Sequence, residues 1–361
     1  MDHSIDLSDY PDFVTHSPKF MEEDPGLVPY KQHFKWRAEQ LEHVKGMIEC
    51  FPRKLEDFTT GHKYFEFNEC GDEITFREWL PGAKEVYLTG DFNGWSLKSL
   101  PLTRDEFGVW SRRWTKDEFP VKQGTLYKLY ILNAKNEWVF RNPAYARRVV
   151  QNNETLVFDA MYERPSSFKF VNGKPVLNGS LKIYEAHIGM SSNEQKIASF
   201  NEFRTNVLPV VKQNGYNCVQ LMAVKEHAYY GSFGYHVTNF FAVSSRYGTA
   251  DEFKALIDEA HRLGIYVLLD LVHSHASRNT ADGIGDMDGT DCQYFPSGEE
   301  GHHRLWDSRI FDYNKPEVLR FLLSNIRYWL EEFNLDGFRF DGVTSILYKH
   351  HGELTRHTLR L

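Results

Sequence analysis

Two residues inside the apolar run "GFRFDG" (Gly337–Gly342) are of types that do chemistry: Arg339 and Asp341, two positions apart. Side chains alternate along a strand, so these two point to one side while Phe338 and Phe340 point to the other. "YVLLDLVHSH" adds Asp270, His273 and His275 near the end of a second apolar run, and "IYEAHIG" adds Glu185 and His187 at a third. Buried parallel strands are normally apolar on both faces, so polar groups recurring at successive strand ends need a reason. An aspartate beside an arginine stays ionised, which suits a nucleophile or a stabiliser of positive charge developing on a sugar ring. The competing reading of Arg339 and Asp341 is a buried ion pair that fixes packing. Recurrence at several strand ends shifts the balance toward a site. Glycosyl transfer with retention would also need a second carboxyl about 5 Å away to protonate the leaving oxygen. Metal is not the default for "HSH", because no third ligand lies nearby.

These residues must be positioned by strands that alternate with helices. From Ser180 onward a helix-start signal, an amphipathic helix and a short apolar strand recur. Ser199 with Glu202 leads to "GYNCVQLM", Thr249 with Glu252 to "GIYVLLDL", and Asn314 with Glu317 to "LDGFRFD", each opening as a capping box. With "LKIYEAHIG" this predicts four parallel strands with right-handed crossovers, either an open doubly wound sheet or part of a barrel. Polar residues at the carboxyl ends favour a barrel mouth. Upstream, "ITFREW", "EVYLTG", "VWSRRW", "LYKLYIL" and "EWVF" are separated by turn signals and predict a β-sandwich. "YERPSSFKFVNGKPVLNGS" reads as the connection between the two. A helix is predicted from Pro29 to Leu55, with Phe34, Leu41, Val44, Met47 and Ile48 as its apolar stripe.

The bulk composition excludes several classes of partner. The net charge of -8 argues against nucleic acid and anionic membrane surfaces, since both need a basic face. Aromatics at 15% are abundant enough to line sugar platforms. Cys50, Cys70, Cys218 and Cys292 lack metal-ligand spacing and read as free thiols of a cytosolic protein. The acidic start "MDHSIDLSDYPDF" has no apolar core of a leader, and no stretch is long enough to span a bilayer. No cofactor or metal is expected, and a monomer is.

Over nearly its whole length, up to about Gly352, the sequence resembles the glycogen (1,4-α-glucan) branching enzymes of the α-amylase superfamily. "DLVHSH" is similar to a family signature whose aspartate and last histidine, here Asp270 and His275, contact the sugar at the cleavage point. "GFRFDGV" is similar to a second, which implies Asp341 as the nucleophile of a covalent glycosyl intermediate, oriented and held ionised by Arg339. "GSFGYHVTNFFAVSSRYGT" (Gly231–Thr249) implies that Tyr235 stacks on the bound sugar with His236 beside it. "REWLPGAKEVYLTGDFNGW" resembles the family's glycan-binding module, and the resemblance implies that Trp79, Trp95, Glu106, Phe107 and Gly108 touch outer chains of the polymer, with Glu317 and Arg320. Flat indole faces pack on apolar sugar faces; the competing reading places Trp79 and Trp95 in the sandwich core.

The resemblance therefore implies an N-terminal helical segment (1–60), a β-sandwich glycan-binding module (61–165), the first half of a (β/α)8 TIM barrel (180–352) and a divergent tail (353–361). Its expected function is glycogen branching: cleavage of an α-1,4 linkage and transfer of the released chain to a 6-hydroxyl, with glycogen or another α-glucan as partner. The tail "ELTRHTLRL" departs from the family pattern and reads as a truncation or mis-splicing. Glu353, the only acidic residue after Asp341, follows no fifth strand and is not assigned as the acid. With no proton donor expected in this chain, branching by it is expected to be unmeasurable. The alternatives are an α-glucan hydrolase of the same superfamily and a non-catalytic glycogen-binding fragment.

Overall fold

The computed structural model describes residues 23–50, 55–119, 121–164, 166–176 and 179–348. The tail at 353–361, with Glu353, lies outside them. The described residues form two compact units, divided between Phe58 and Thr59. In the first, Asp24 accepts from the Gly26 N–H at 2.9 Å and opens a 3-10 turn, Pro25–Tyr30, which continues into the helix Lys31–Cys50. Of the predicted apolar stripe, Ile48 is buried but Leu41 is 56% exposed, so the stripe is covered only in part.

The second unit opens with the sandwich. Its strands are β1 (Glu66–Cys70), β2 (Glu73–Trp79), β3 (Glu85–Gly90), β4 (Thr103–Arg104), β5 (Val109–Thr115), β6 (Leu126–Leu132), β7 (Trp138–Arg141), β8 (Val149–Gln151) and β9 (Phe158–Met161). One sheet runs β1-β2-β5-β4; the other runs β3-β6-β9-β8, with β7 on β6. Alternation decides the inner face: Ile74 and Phe76 of β2 are buried, whereas Glu73 is exposed.

Four strands, β10 (Ile183–Ala186), β11 (Cys218–Leu221), β14 (Tyr266–Leu271) and β18 (Gly337–Phe340), then pair in parallel in that order, the predicted first part of a barrel. Between β11 and β14 the chain makes a hairpin of β12 (Lys225–Glu226) and β13 (Asn239–Val243). After β14 it forms a small antiparallel sheet of β15 (His275–Ser277), β16 (His302–His303) and β17 (Ser308–Ile310), in the order β15-β17-β16.

Two of the three predicted capping boxes are present. Ser199 Oγ accepts from Glu202 N at 3.2 Å while Glu202 Oε2 accepts from Ser199 N at 2.9 Å, and Thr249 with Glu252 repeats this at 3.2 and 2.7 Å. Such a cap contributes about 1 kcal/mol. The third is absent. The helix Pro316–Phe333 has Lys315 at its cap position and no side-chain cap bond. Pro316 takes the first helical position, where its missing N–H costs nothing, while the side chain of Asn314 is turned to Asp312 and Glu317 pairs with Arg320.

Sandwich and barrel strands are joined through buried groups. Asp288 Oδ2 accepts from Gly82 N at 2.7 Å, Asp282 Oδ1 from Phe158 N at 2.7 Å, and the Trp79 carbonyl from Gln293 Nε2 at 2.5 Å. Tyr145 stacks on Phe241 with centroids 4.6 Å apart and meets Phe321 edge-on. The connecting segment is pinned as well, since Val171 and Asn172 both donate backbone N–H groups to Asp258 at 2.9 Å.

Glu78 lies wholly inside this seam, accepting from Trp79 N at 3.1 Å and Ala144 N at 2.9 Å. Burial pushes its carboxyl up to about 8. A carboxyl raised by folding holds a proton that the unfolded chain has released above about pH 4.5, so its contribution is present below that pH and lost as pH rises toward 8. At 1.36 kcal/mol per unit, the loss is on the order of 5 kcal/mol. The melting temperature should therefore fall between pH 5 and pH 9. Glu78→Gln, which cannot ionise but forfeits one backbone acceptor, should melt lower at pH 5 with a distinctly flatter pH dependence. Equal slopes for the two proteins in a pH series of thermal melts would contradict this.

Candidate active site

Strand pairing brings the polar strand ends together. Asp270 on β14 is registered against Arg339 on β18. Arg339 Nη1 donates to Asp270 Oδ2 at 2.9 Å and to Asp341 Oδ1 at 2.9 Å, so one guanidinium nitrogen bridges two carboxylates. The backbone of Asp341 is fixed independently, its N–H donating to the Leu271 carbonyl at 2.9 Å, and Gly342 follows at φ +64 in the left-handed region. Phe338 packs against the core while Phe340 is 41% exposed.

Asp270 has no exposed surface, and burial raises its carboxyl above the ordinary aspartate value against the pull of Tyr235 and Arg339. Its Oδ2 also accepts from the Tyr235 hydroxyl at 2.7 Å, while its Oδ1 meets no protein donor. His275 is held on both sides: Nε2 faces the Tyr235 carbonyl at 3.0 Å and Nδ1 faces Ser274 Oγ at 2.9 Å. A carbonyl can only accept, so the ring proton sits on Nε2 and Ser274 donates to Nδ1. Burial holds this imidazole down at about 3, neutral at any physiological pH.

Tyr235, His236, His275 and Asp341 line a cleft of about 540 Å³ together with Ser232, Leu305, Trp306 and Asp307. Its shape and its carboxylates suit a polar, uncharged ligand. Asp341, with one oxygen on Arg339, can present the other as a nucleophile. His273 and His187 do not join it. His273 is buried against Asn325 at 2.9 Å and held down at about 3 by burial, and His187 lies beneath Tyr230, Phe233 and Tyr247. Among the described residues no group of three or more His, Cys, Asp or Glu side chains is arranged to hold a metal ion.

None of the residues expected to touch outer chains lines the cleft. Trp79 is packed in the core, edge-on to Tyr294 at 5.4 Å, with Nε1 donating to the Phe107 carbonyl at 3.3 Å. Its indole face is used up by packing, so the core reading describes its place. Gly108 is buried, with Pro81 so close that a Cβ would sit 2.7 Å from its Cα. Glu106 and Phe107 are exposed. Arg320 is buried over the rings of Tyr64 and Phe65 and is 3.4 Å from Glu317, with its Nε and Nη2 meeting no protein acceptor. Trp95 is half-buried on the sandwich, with Nε1 donating to Asp91 at 2.9 Å.

Two features escaped the sequence reading. On the outer face of the second sheet Tyr87, Tyr130, Trp138 and Phe140 form an aromatic ladder, Tyr130 stacking on Trp138 at 4.6 Å and Lys98 Nζ standing 3.8 Å from the Trp138 ring centre. Period-two counting along "EVYLTG", "LYKLYIL" and "EWVF" contains the signal. The cleft wall at Leu305–Asp307 lies in a loop without periodicity, where only the indole in a polar stretch hints at a role.

Comparison with known proteins agrees with this arrangement. Residues 64–146 match Carbohydrate-binding module 48 (Isoamylase N-terminal domain), and residues 205–295 match the Alpha amylase, catalytic domain. A 1,4-alpha-glucan-branching enzyme of Dictyostelium discoideum is 49% identical over 343 residues, covering 94% of this chain and 51% of the relative. One from Equus caballus is 46% identical, with 96% and 50% covered, and one from Solanum tuberosum 47%, with 94% and 41%. The chain thus spans about half the length of the curated relatives it matches. Among solved structures, a putative alpha amylase from Salmonella typhimurium is similar at 25% identity and a TM-score of 0.63, over 78% of this chain and 44% of that one. The Group B Streptococcus pullulanase SAP shares the fold at 20% identity and a TM-score of 0.65, over 76% and 42%. Over the half of their length that it spans, a carbohydrate-binding module followed by the first part of an α-amylase barrel, the chain is similar to the 1,4-α-glucan branching enzymes.

Proposed function

We propose that the chain carries the nucleophile half of a glucan-branching site. A carboxylate oxygen of Asp341 bonds to the anomeric carbon of an α-1,4-linked chain as the bond to the departing chain's 4-oxygen breaks; a 6-hydroxyl of another chain then displaces Asp341 with overall retention, and the proton it loses balances the one gained by the 4-oxygen. Asp270, Tyr235, His236 and His275 hold the ring under attack, and Arg339 aligns Asp341. The observation that carries this reading is the single guanidinium nitrogen bridging Asp270 and Asp341, each at 2.9 Å, beside an open cleft. The aromatic ladder with Trp95, Phe107 and Glu106 would hold outer glucan chains. A cytosolic monomer fits this reading, with Cys70, Cys218 and Cys292 all free thiols.

No proton donor to the leaving oxygen is assigned among the described residues, because Asp270 is fully buried and tied to Arg339 and Tyr235. The test therefore uses a donor that needs none. With α-maltotriosyl fluoride, a carboxylate oxygen of Asp341 forms the bond to the anomeric carbon as the C–F bond breaks and fluoride leaves. Intact-mass analysis should show a maltotriosyl adduct mapping to Asp341, and a chase with maltohexaose should discharge it faster than water does, forming α-1,6 links. Discharge by water alone would point to a hydrolase, and an adduct on any other residue would refute the assignment.

A further inference from the structure

The loop at Leu305–Asp307 forms one wall of the cleft, and its indole is held with unusual firmness. Trp306 stacks on His303 with centroids 4.0 Å apart and planes 8° from parallel. The Trp306 N–H donates to His303 Nδ1 at 3.3 Å, which leaves His303 Nε2 to donate to Ser345 Oγ at 2.8 Å. Asp307, at φ +47, closes the turn with an ion pair to Arg278 at 2.8 Å. His275 lies 5.1 Å away at a tilt of 51°, and the far edge of the indole reaches the peptide at Gly342, directly after Asp341.

A side chain fixed on so many sides is ordinarily buried, yet Trp306 remains 39% exposed and Leu305 is exposed beside it. One indole face is covered by His303; the open surface borders the same cleft as Tyr235 and Asp341. An aromatic ring held rigid loses little entropy on meeting a ligand, and sugar rings present apolar C–H faces to such surfaces.

We infer that Trp306 is the stacking platform for the glucose unit next to the one attacked by Asp341, so that the cleft grips two consecutive units of an α-1,4-glucan, one at Tyr235 and one at Trp306. This rests on the reading of Asp341 as the attacking group. The probe is maltotriose, titrated calorimetrically into a chain whose sandwich ladder has been weakened by Trp138→Ala and Phe140→Ala, so that the change made by each Trp306 variant reads the cleft. On that background Trp306→Ala and Trp306→Leu should each weaken binding by at least about tenfold, which is ~1.4 kcal/mol. Trp306→Phe should retain most of the affinity. Leucine refills the space beside Gly342 without a flat face, so it separates stacking from support even if the alanine variant folds poorly. Leucine binding as well as phenylalanine, or all three variants matching their parent, would overturn the inference. Adduct formation at Asp341 without maltotriose binding in the parent would overturn it alone. Failure of both would overturn the reading of Asp341 as well.

Discussion

Asp341→Asn is expected to abolish the glycosyl adduct, and Arg339→Met to slow its formation by about a thousandfold, equivalent to ~4 kcal/mol of barrier. The amide of asparagine cannot form the ester, so the first result is all or none. The second follows from geometry: Arg339 Nη1 is the donor that orients Asp341 Oδ1, and it is also the cation beside a carboxylate with no exposed surface. Methionine fills the stem of the side chain but leaves Asp270 with Tyr235 alone. The Asp270 carboxyl, already raised by burial, then moves further up, so the residual rate of the variant should recover only at higher pH than in the parent. The stability cost is smaller than that of a deeply buried pair, about 1–2 kcal/mol, because the Arg339 side chain is 43% exposed and water replaces part of it. Arg339→Lys keeps the charge without the planar fork and should fall between the two. Adduct formation rates by intact mass across a pH series decide this, and an Arg339→Met rate within threefold of the parent would be incompatible with the proposed role.

Gly342→Ala should also reduce adduct formation by at least about a hundredfold. A Cβ there would stand 2.5 Å from Ser274 Oγ and 2.8 Å from Trp306 Cζ3, and the backbone is already at φ +64. Neither neighbour can yield: Ser274 donates to His275, and Trp306 is clamped on His303. The peptide after Asp341 must move instead, and a misplacement of about 1 Å in a reacting group costs on the order of a hundredfold. Gly215→Ala supplies the control. It shares the left-handed geometry at φ +79 but has nothing within 4 Å of the added Cβ. Both variants should lose about 1 kcal/mol or more from backbone strain, and only Gly342→Ala should lose rate. Equal rates for the two would show that the crowding beside Asp341 is harmless.

How much of this was legible in the sequence differs from residue to residue. The shared side of Arg339 and Asp341 follows from strand parity alone, and the four parallel strands follow from the recurring helix-strand units. That Asp270 lies directly across from Arg339 does not, because register is set by how two strands separated by a whole helix slide into contact. Tyr235 reaches Asp270 from a loop after β12, a contact with no local signature. Trp79 shows the opposite limit. The same indole suits a core and a platform, and only its packing on Tyr294 separates the two. Asn314 has the spacing of a helix cap, but Pro316 moved the helix start by one residue and left Asn314 to Asp312.

The buried joins between sandwich and barrel strands bear on how the protein comes apart. Gln293, Asp282 and Asp288 each satisfy a partner across the seam, and the aromatic core passes from Phe65 through Tyr145 to Phe241 and Phe321 without interruption. Separating the two halves would strand several buried donors and acceptors at once, each costing about 1–3 kcal/mol. Local opening at the seam is therefore coupled to global unfolding, and hydrogen exchange there should be among the slowest in the molecule. A proteolytic or engineered cut after the last sandwich strand would accordingly release a fragment with an adhesive face rather than an autonomous module.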